Sequence, residues 1–124
     1  MGQPVVHFEI GGRDGEQLQG FYAGLFDWNL TVAEDLDNYA GACAEEGGIG
    51  GGLMTTTEDM PPNHVTIYIQ VDDLQAYLDK AEGLGGKTVV PPMLIRDDVG
   101  SIAMFSDPSG NCIGLYKAPE GQND

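Results

Sequence analysis

Few residues of this chain could do chemistry, and most of them lie on alternating, strand-like segments. His7 and Glu9 stand two apart in Val-Val-His-Phe-Glu-Ile at 5–10, and a strand puts such a pair on one face. Buried, an imidazole and a carboxylate so placed could act as general base and acid. Solvated, Glu9 would be inert and His7 would hydrogen-bond a neighbouring strand. The second histidine, His64, opens another alternating run at 64–71. Cys43 and Cys112 form no Cys-x-x-Cys pair and have no histidine close in sequence, so they read as free, packed thiols. The glycines at 47–52 lack the Lys-Ser/Thr of a phosphate-binding loop and read as a strand that lets backbone or ligand approach closely. Asp35-Leu-Asp37 lacks the further oxygen ligands of a calcium loop and reads as a turn.

These residues need elements to hold them. The first strand at 5–10 meets Gly11-Gly12. Leu18, Phe21, Tyr22, Leu25 and Phe26 then recur at helical spacing, with Asp14 as N-cap. Short strands are predicted at 29–32, 39–44 and 49–55. The second half repeats this order. A strand at 65–71 precedes a helix capped by Asp72 or Asp73, whose apolar face is Leu74, Tyr77, Leu78, Ala81 and Leu84. Gly85-Gly86 stops it. Strands at 87–90, 101–106 and 112–117 follow, the last two joined by the turn Asp107-Pro-Ser-Gly-Asn111.

Setting Leu25 on Leu84, an offset of 59 residues, also sets Phe8 on Ile67, Ile10 on Ile69, Asp14 on Asp73 and Leu30 on Val89. Agreement across strand, cap, helix and next strand reads as an internal duplication of a βαβββ unit. One domain over 1–124 is expected, with module 1 at about 4–55, a linker at 56–63, module 2 at about 64–118 and a tail at 119–124.

The net charge is -15, from 5 Lys and Arg against 20 Asp and Glu. Such a surface repels phosphate backbones and anionic lipid, so no nucleic acid and no membrane partner is expected. It suits either a saline environment or a cationic ligand. No apolar run reaches the roughly 18 residues of a membrane span, and the start, Met1-Gly2-Gln3-Pro4, shows no secretion signal. A cytoplasmic location is the default expectation.

Alternation sorts the faces. Val6, Phe8 and Ile10, then Val65, Ile67, Ile69 and Val71, then Ile113 and Leu115 should pack. His7, Glu9, Thr66, Tyr68, Gln70, Cys112 and Tyr116 take the opposite face. Those seven are the candidate ligand-binding residues, a mixture suited to a partly polar organic molecule.

His7 in VVHFEI, FYAGLFDW at 21–28, GGIGGG at 47–52, HVTIYIQVDD at 64–73, LGGKTVVPP at 84–92 and DPSGNCIGLYK at 107–117 together resemble the vicinal oxygen chelate superfamily of glyoxalase I, bleomycin-resistance proteins and extradiol dioxygenases. The resemblance implies an α+β fold: two tandem βαβββ modules forming an open, cup-shaped eight-stranded mixed sheet, within a homodimer. It also implies a divalent metal held by the first and last strands of each module, acting as a Lewis acid on vicinal oxygens. Carried over, the ligand positions fall on His7, Thr66, a glycine among 50–52, and Gly114. One donor of four remains, where a stable site needs three or four. The expectation is therefore a small-molecule-binding, glyoxalase- or bleomycin-resistance-like protein with no metal cofactor. The alternative is a metal-dependent lyase or dioxygenase with a divalent ion on His7 and His64.

Overall fold

A computed structural model describes residues 2–32 and 39–120. The Asp35–Asp37 turn and the last four residues of the expected tail lie outside the described residues. The elements are β1 (Val5–Gly12), α1 (Gly15–Phe26), β2 (Leu30–Val32), β3 (Tyr39–Ala42), β4 (Gly50–Thr55), β5 (His64–Gln70), α2 (Leu74–Gly83), β6 (Lys87–Arg96), β7 (Gly100–Ser106) and β8 (Cys112–Lys117). The fold is α+β, and βαβββ occurs twice. The described residues form two compact units, 6–66 and 67–120 with 2–5. The boundary falls inside β5, so His64 and Thr66 belong with the first unit.

In the first unit the strand order is β2-β3-β4-β1. β1 and β4 run parallel, with His7 opposite Gly50 and Glu9 opposite Gly52; β2–β3 and β3–β4 are antiparallel. Asp14 caps α1 by accepting from the Gln17 amide at 3.0 Å. The helix ends where Asp27 turns left-handed, at φ 59°. Ala40, Ala42 and Leu53 are buried. Beside them Phe8 packs on Trp28, and Trp28 stacks on Tyr22 with centroids 5.4 Å apart. The expected apolar face of α1 is only half used. Leu18 and Tyr22 are partly covered, whereas Phe21, Leu25 and Phe26 are more than half exposed.

In the second unit the order is β5-β8-β7-β6. β5 and β8 are parallel, and the other two pairings antiparallel. Asp73 caps α2 through the Ala76 amide at 3.0 Å. The core is Val71, Leu74, Leu78, Ala103 and Leu115. Burying a leucine as completely as Leu78 contributes about 2–3 kcal/mol. Chain reversal at Gly100 requires glycine: its φ is +115°, and a Cβ would lie 2.3 Å from the Lys117 carbonyl oxygen.

Two expectations are corrected here. β6 runs past Val90, through Pro91-Pro92 to Arg96. It is the edge strand and carries three register shifts, which is where a sheet tolerates proline. The faces of β5 are also reversed at its start: Val65 is 72% and Ile67 37% exposed, while Thr66 and Tyr68 are buried. The Tyr68 ring covers Gly114, whose absent side chain leaves it room.

Candidate functional site

Part-buried polar side chains from separate strands meet in the first unit. β1 supplies His7 and Glu9 on one face, β3 supplies Tyr39, and the start of β5 supplies His64. His7 Nε2 and the Tyr39 hydroxyl lie 2.8 Å apart, a hydrogen bond whose direction follows the imidazole tautomer. His64 Nε2 lies 3.1 Å from Glu9 Oε1, with side chains 23% and 14% exposed. Of the two readings of His7 and Glu9, His7 does hydrogen-bond a residue of another strand, whereas Glu9 is not solvated but pairs with His64.

Glycines make both pairs possible. A Cβ on Gly52 would fall 1.9 Å from the Tyr39 oxygen and 2.1 Å from Cζ, so the phenol occupies the space over that glycine. Likewise the His64 imidazole lies over Gly11, 2.3 Å from where a Cβ would be. The segment leading to His64 is fastened to the end of β1. The Thr56 amide donates to the Gly12 carbonyl at 2.9 Å. The Arg13 guanidinium donates to Thr56 Oγ1 and to the Thr57 and Met60 carbonyls. The Thr56 hydroxyl donates to Pro62 O at 3.1 Å.

Burial lowers the His7 pKa, against an opposing pull from the Glu9 carboxylate. Burial and the same carboxylate raise that of Tyr39 well above the ordinary phenol value. Near neutrality the pair is thus an uncharged imidazole beside a protonated phenol. It can exchange hydrogen bonds with a polar ligand atom or relay a proton, and Glu9 with His64 adds a carboxylate–imidazole pair on the same unit.

The other candidates lie elsewhere. Thr66 is buried at the start of β5. Tyr68 is buried over Gly114 in the second unit. Gln70 is partly buried, and its backbone amide donates to the Pro4 carbonyl. Tyr116 donates its hydroxyl to the Val99 carbonyl at 2.6 Å, a bond that ties β8 to the turn between β6 and β7. Cys112 and Cys43 are both exposed and outside any disulfide, so neither is the buried, packed thiol expected. Sequence reasoning missed Tyr39 and named His64 only in the alternative, metal-dependent reading. The signal for Tyr39 was an aromatic residue on a strand next to a run of glycines, which need something to lie over them.

The ligand set implied by the resemblance does not fit these residues. Of the glycines at 50–52, Gly50 and Gly52 share the His7 face, and the Tyr39 ring fills the space over Gly52; the second-module position, Gly114, is covered by the Tyr68 ring. Among the described residues no three His, Cys, Asp or Glu side chains come together as a metal-holding group. His7 Nε2 is turned to the phenol instead.

Comparison with known proteins agrees with the topology. Residues 5–115 match the Glyoxalase/Bleomycin resistance protein/Dioxygenase superfamily. The chain is 26% identical, over 126 aligned positions, to anthracycline biosynthesis protein DnrV of Streptomyces peucetius, covering 89% of this chain and 45% of that protein. It is 29% identical, over 115 positions, to the putative glyoxylase CFP32 of Mycobacterium tuberculosis, covering 85% and 42%. The chain thus spans less than half the length of these curated relatives. In fold it is similar to the Mn(II)-bound glyoxalase of Novosphingobium aromaticivorans, with TM-score 0.67 and 20% identity over 98% of this chain and 42% of that one. No described helix is long and apolar enough to cross a membrane. By sequence match and by fold, the chain belongs to the glyoxalase/bleomycin resistance protein/dioxygenase superfamily.

Proposed function

We propose that this chain binds a small organic molecule without a metal cofactor, on the first-unit face that carries His7, Glu9, Tyr39 and His64. The observation that carries the reading is the Tyr39 phenol, which fills the space over Gly52 and engages His7 Nε2. A face so built recognises its ligand by shape and hydrogen bonding. Glu9, within a chain of net charge -15, favours a ligand with positive character. The names of the relatives, which concern anthracycline biosynthesis and glyoxylases, support a small organic molecule as the class. A homodimer belongs to the same proposal: Phe21, Leu25 and Phe26 leave apolar surface on α1 that a second copy would cover.

The second reading is a metal-dependent lyase or dioxygenase acting on vicinal oxygens, favoured by the fold likeness to an Mn(II)-bound glyoxalase. A thermal-shift screen of small organic molecules, run with and without EDTA, separates the two. A ligand at 100 times its dissociation constant adds about 2.7 kcal/mol of stability. Hits should stabilise equally with EDTA and lose their effect in Glu9→Gln and Tyr39→Phe. Hits that vanish with EDTA and return with a divalent metal would establish the second reading.

A further inference from the structure

The second unit contains a cavity of about 320 Å³ under the C-terminal half of α2, separate from the polar residues described above. Ile69, Tyr77, Ala81, Leu84, Phe105 and Leu115 form its apolar lining. Its origin is legible in the helix. Leu74 and Leu78 pack fully into the core, but one turn further on the same stripe offers only the methyl group of Ala81. The sheet side chains opposite are therefore left with open space. That volume lies at the lower end of small-ligand pockets, about 300–1,000 Å³.

Three polar side chains stand at this cavity: Lys80, Asp107 and Gln3. Asp107 is already engaged, because Oδ1 accepts from the Ser109 and Asn111 amides and Oδ2 from the Asn111 side chain. Lys80 is different. Arg13, Arg96 and Lys117 are tied to the linker, to Asp98 and to Glu120. Among the described residues the ammonium groups of Lys80 and Lys87 have no hydrogen bond or ion pair, and of these two only Lys80 stands at the cavity. In a chain with 5 basic and 20 acidic residues, an ammonium group without a carboxylate partner beside an apolar cavity is a specific feature.

We propose that this cavity is a second ligand site, for a small amphipathic carboxylate whose aryl or alkyl body lies against Phe105 and Leu115 and whose carboxylate pairs with Lys80. The site is independent of the reading of the His7 face. The apolar body supplies most of the affinity, and the ion pair supplies the preference for an acid over a neutral analogue.

The test uses the full chain, isotopically labelled, titrated with 4-phenylbutanoate and with 4-phenylbutan-1-ol while amide resonances are followed. Salt is held at 0.15 M or above, so that long-range repulsion from the acidic surface is screened beyond about 8 Å. Both probes should shift the amides of Ala81, Leu84, Phe105 and Leu115, with the acid binding up to about fivefold tighter. Lys80→Gln should equalise the two probes, and Lys80→Arg should restore the difference. Ala81→Leu fills the space and should abolish both; if that variant fails to fold, the Lys80 pair of variants still decides. Equal binding of acid and alcohol, shifts mapping elsewhere, or no binding would overturn the proposal. So would concentration-dependent shifts of the same amides without probe, which would mean that a second copy covers the cavity.

Discussion

Gly52→Ala is the sharpest single change the site offers. The new Cβ would fall 1.9 Å from the Tyr39 oxygen, 2.1 Å from Cζ and 2.5 Å from Cε1, so the ring end must move by more than an ångström. That movement breaks the 2.8 Å contact with His7. Losing the hydrogen bond costs about 1 kcal/mol, and forcing an extra methyl into a filled space costs about 1–3 kcal/mol. Against this, alanine in a strand recovers roughly 0.5–1 kcal/mol of chain entropy relative to glycine. The net expectation is a destabilisation of about 2 kcal/mol, read as a lower urea midpoint at unchanged m-value. In a Tyr39→Ala background the obstacle is gone. There the same substitution should stabilise by about 0.5 kcal/mol, giving a coupling energy of roughly 2–3 kcal/mol. Equal costs in the two backgrounds would refute the claim that the phenol occupies the space over Gly52.

Further expectations can be checked together. Gly11→Ala should push the His64 imidazole off Glu9 and destabilise by about 1–2 kcal/mol; Glu9→Gln in that background should add little, and a full additive loss would contradict the pairing. Tyr39 has a raised folded-state pKa, so its contribution to stability is present below pH 10 and is lost as pH rises above it. This alkaline loss should shrink in Tyr39→Phe. His7 has a lowered pKa, so its contribution is present above pH 6.5 and is lost as pH falls below it; the stability difference between wild type and His7→Asn should narrow over that acid range. Leu78→Ala, at a fully buried position, should cost about 2–4 kcal/mol, whereas Leu25→Ala, at 58% exposure, should cost under about 1 kcal/mol in the monomer. Similar losses at both positions would show that α1 is covered.

Local chemistry was legible in the sequence wherever one segment decided its own structure. Asp14 and Asp73 cap the helices as their positions imply, and the turn around Asp107 forms the expected link between β7 and β8. Contacts between distant segments were not legible. Alternation assigned Val65 and Ile67 to the packed side, yet the space over Gly114 drew Tyr68 inward and left them exposed. The second strand of the second half was expected to end at Val90, but an edge position with register shifts carries it on through Pro91 and Pro92. At the site, His7 was found from its strand and Tyr39 was not, because their contact joins residues 32 apart. Only the β1–β4 register shows which glycines share the face of His7. Glycines mark where something must approach without naming what does.

The most direct measurement is the metal content of protein purified without a histidine tag, before and after incubation with Mn, Fe, Ni or Zn and desalting. With Tyr39 on His7 and tyrosine rings over Gly52 and Gly114, the expected result is far less than one ion per chain in every case, unchanged in His7→Ala. One ion per chain that disappears in His7→Ala would contradict the metal-free account.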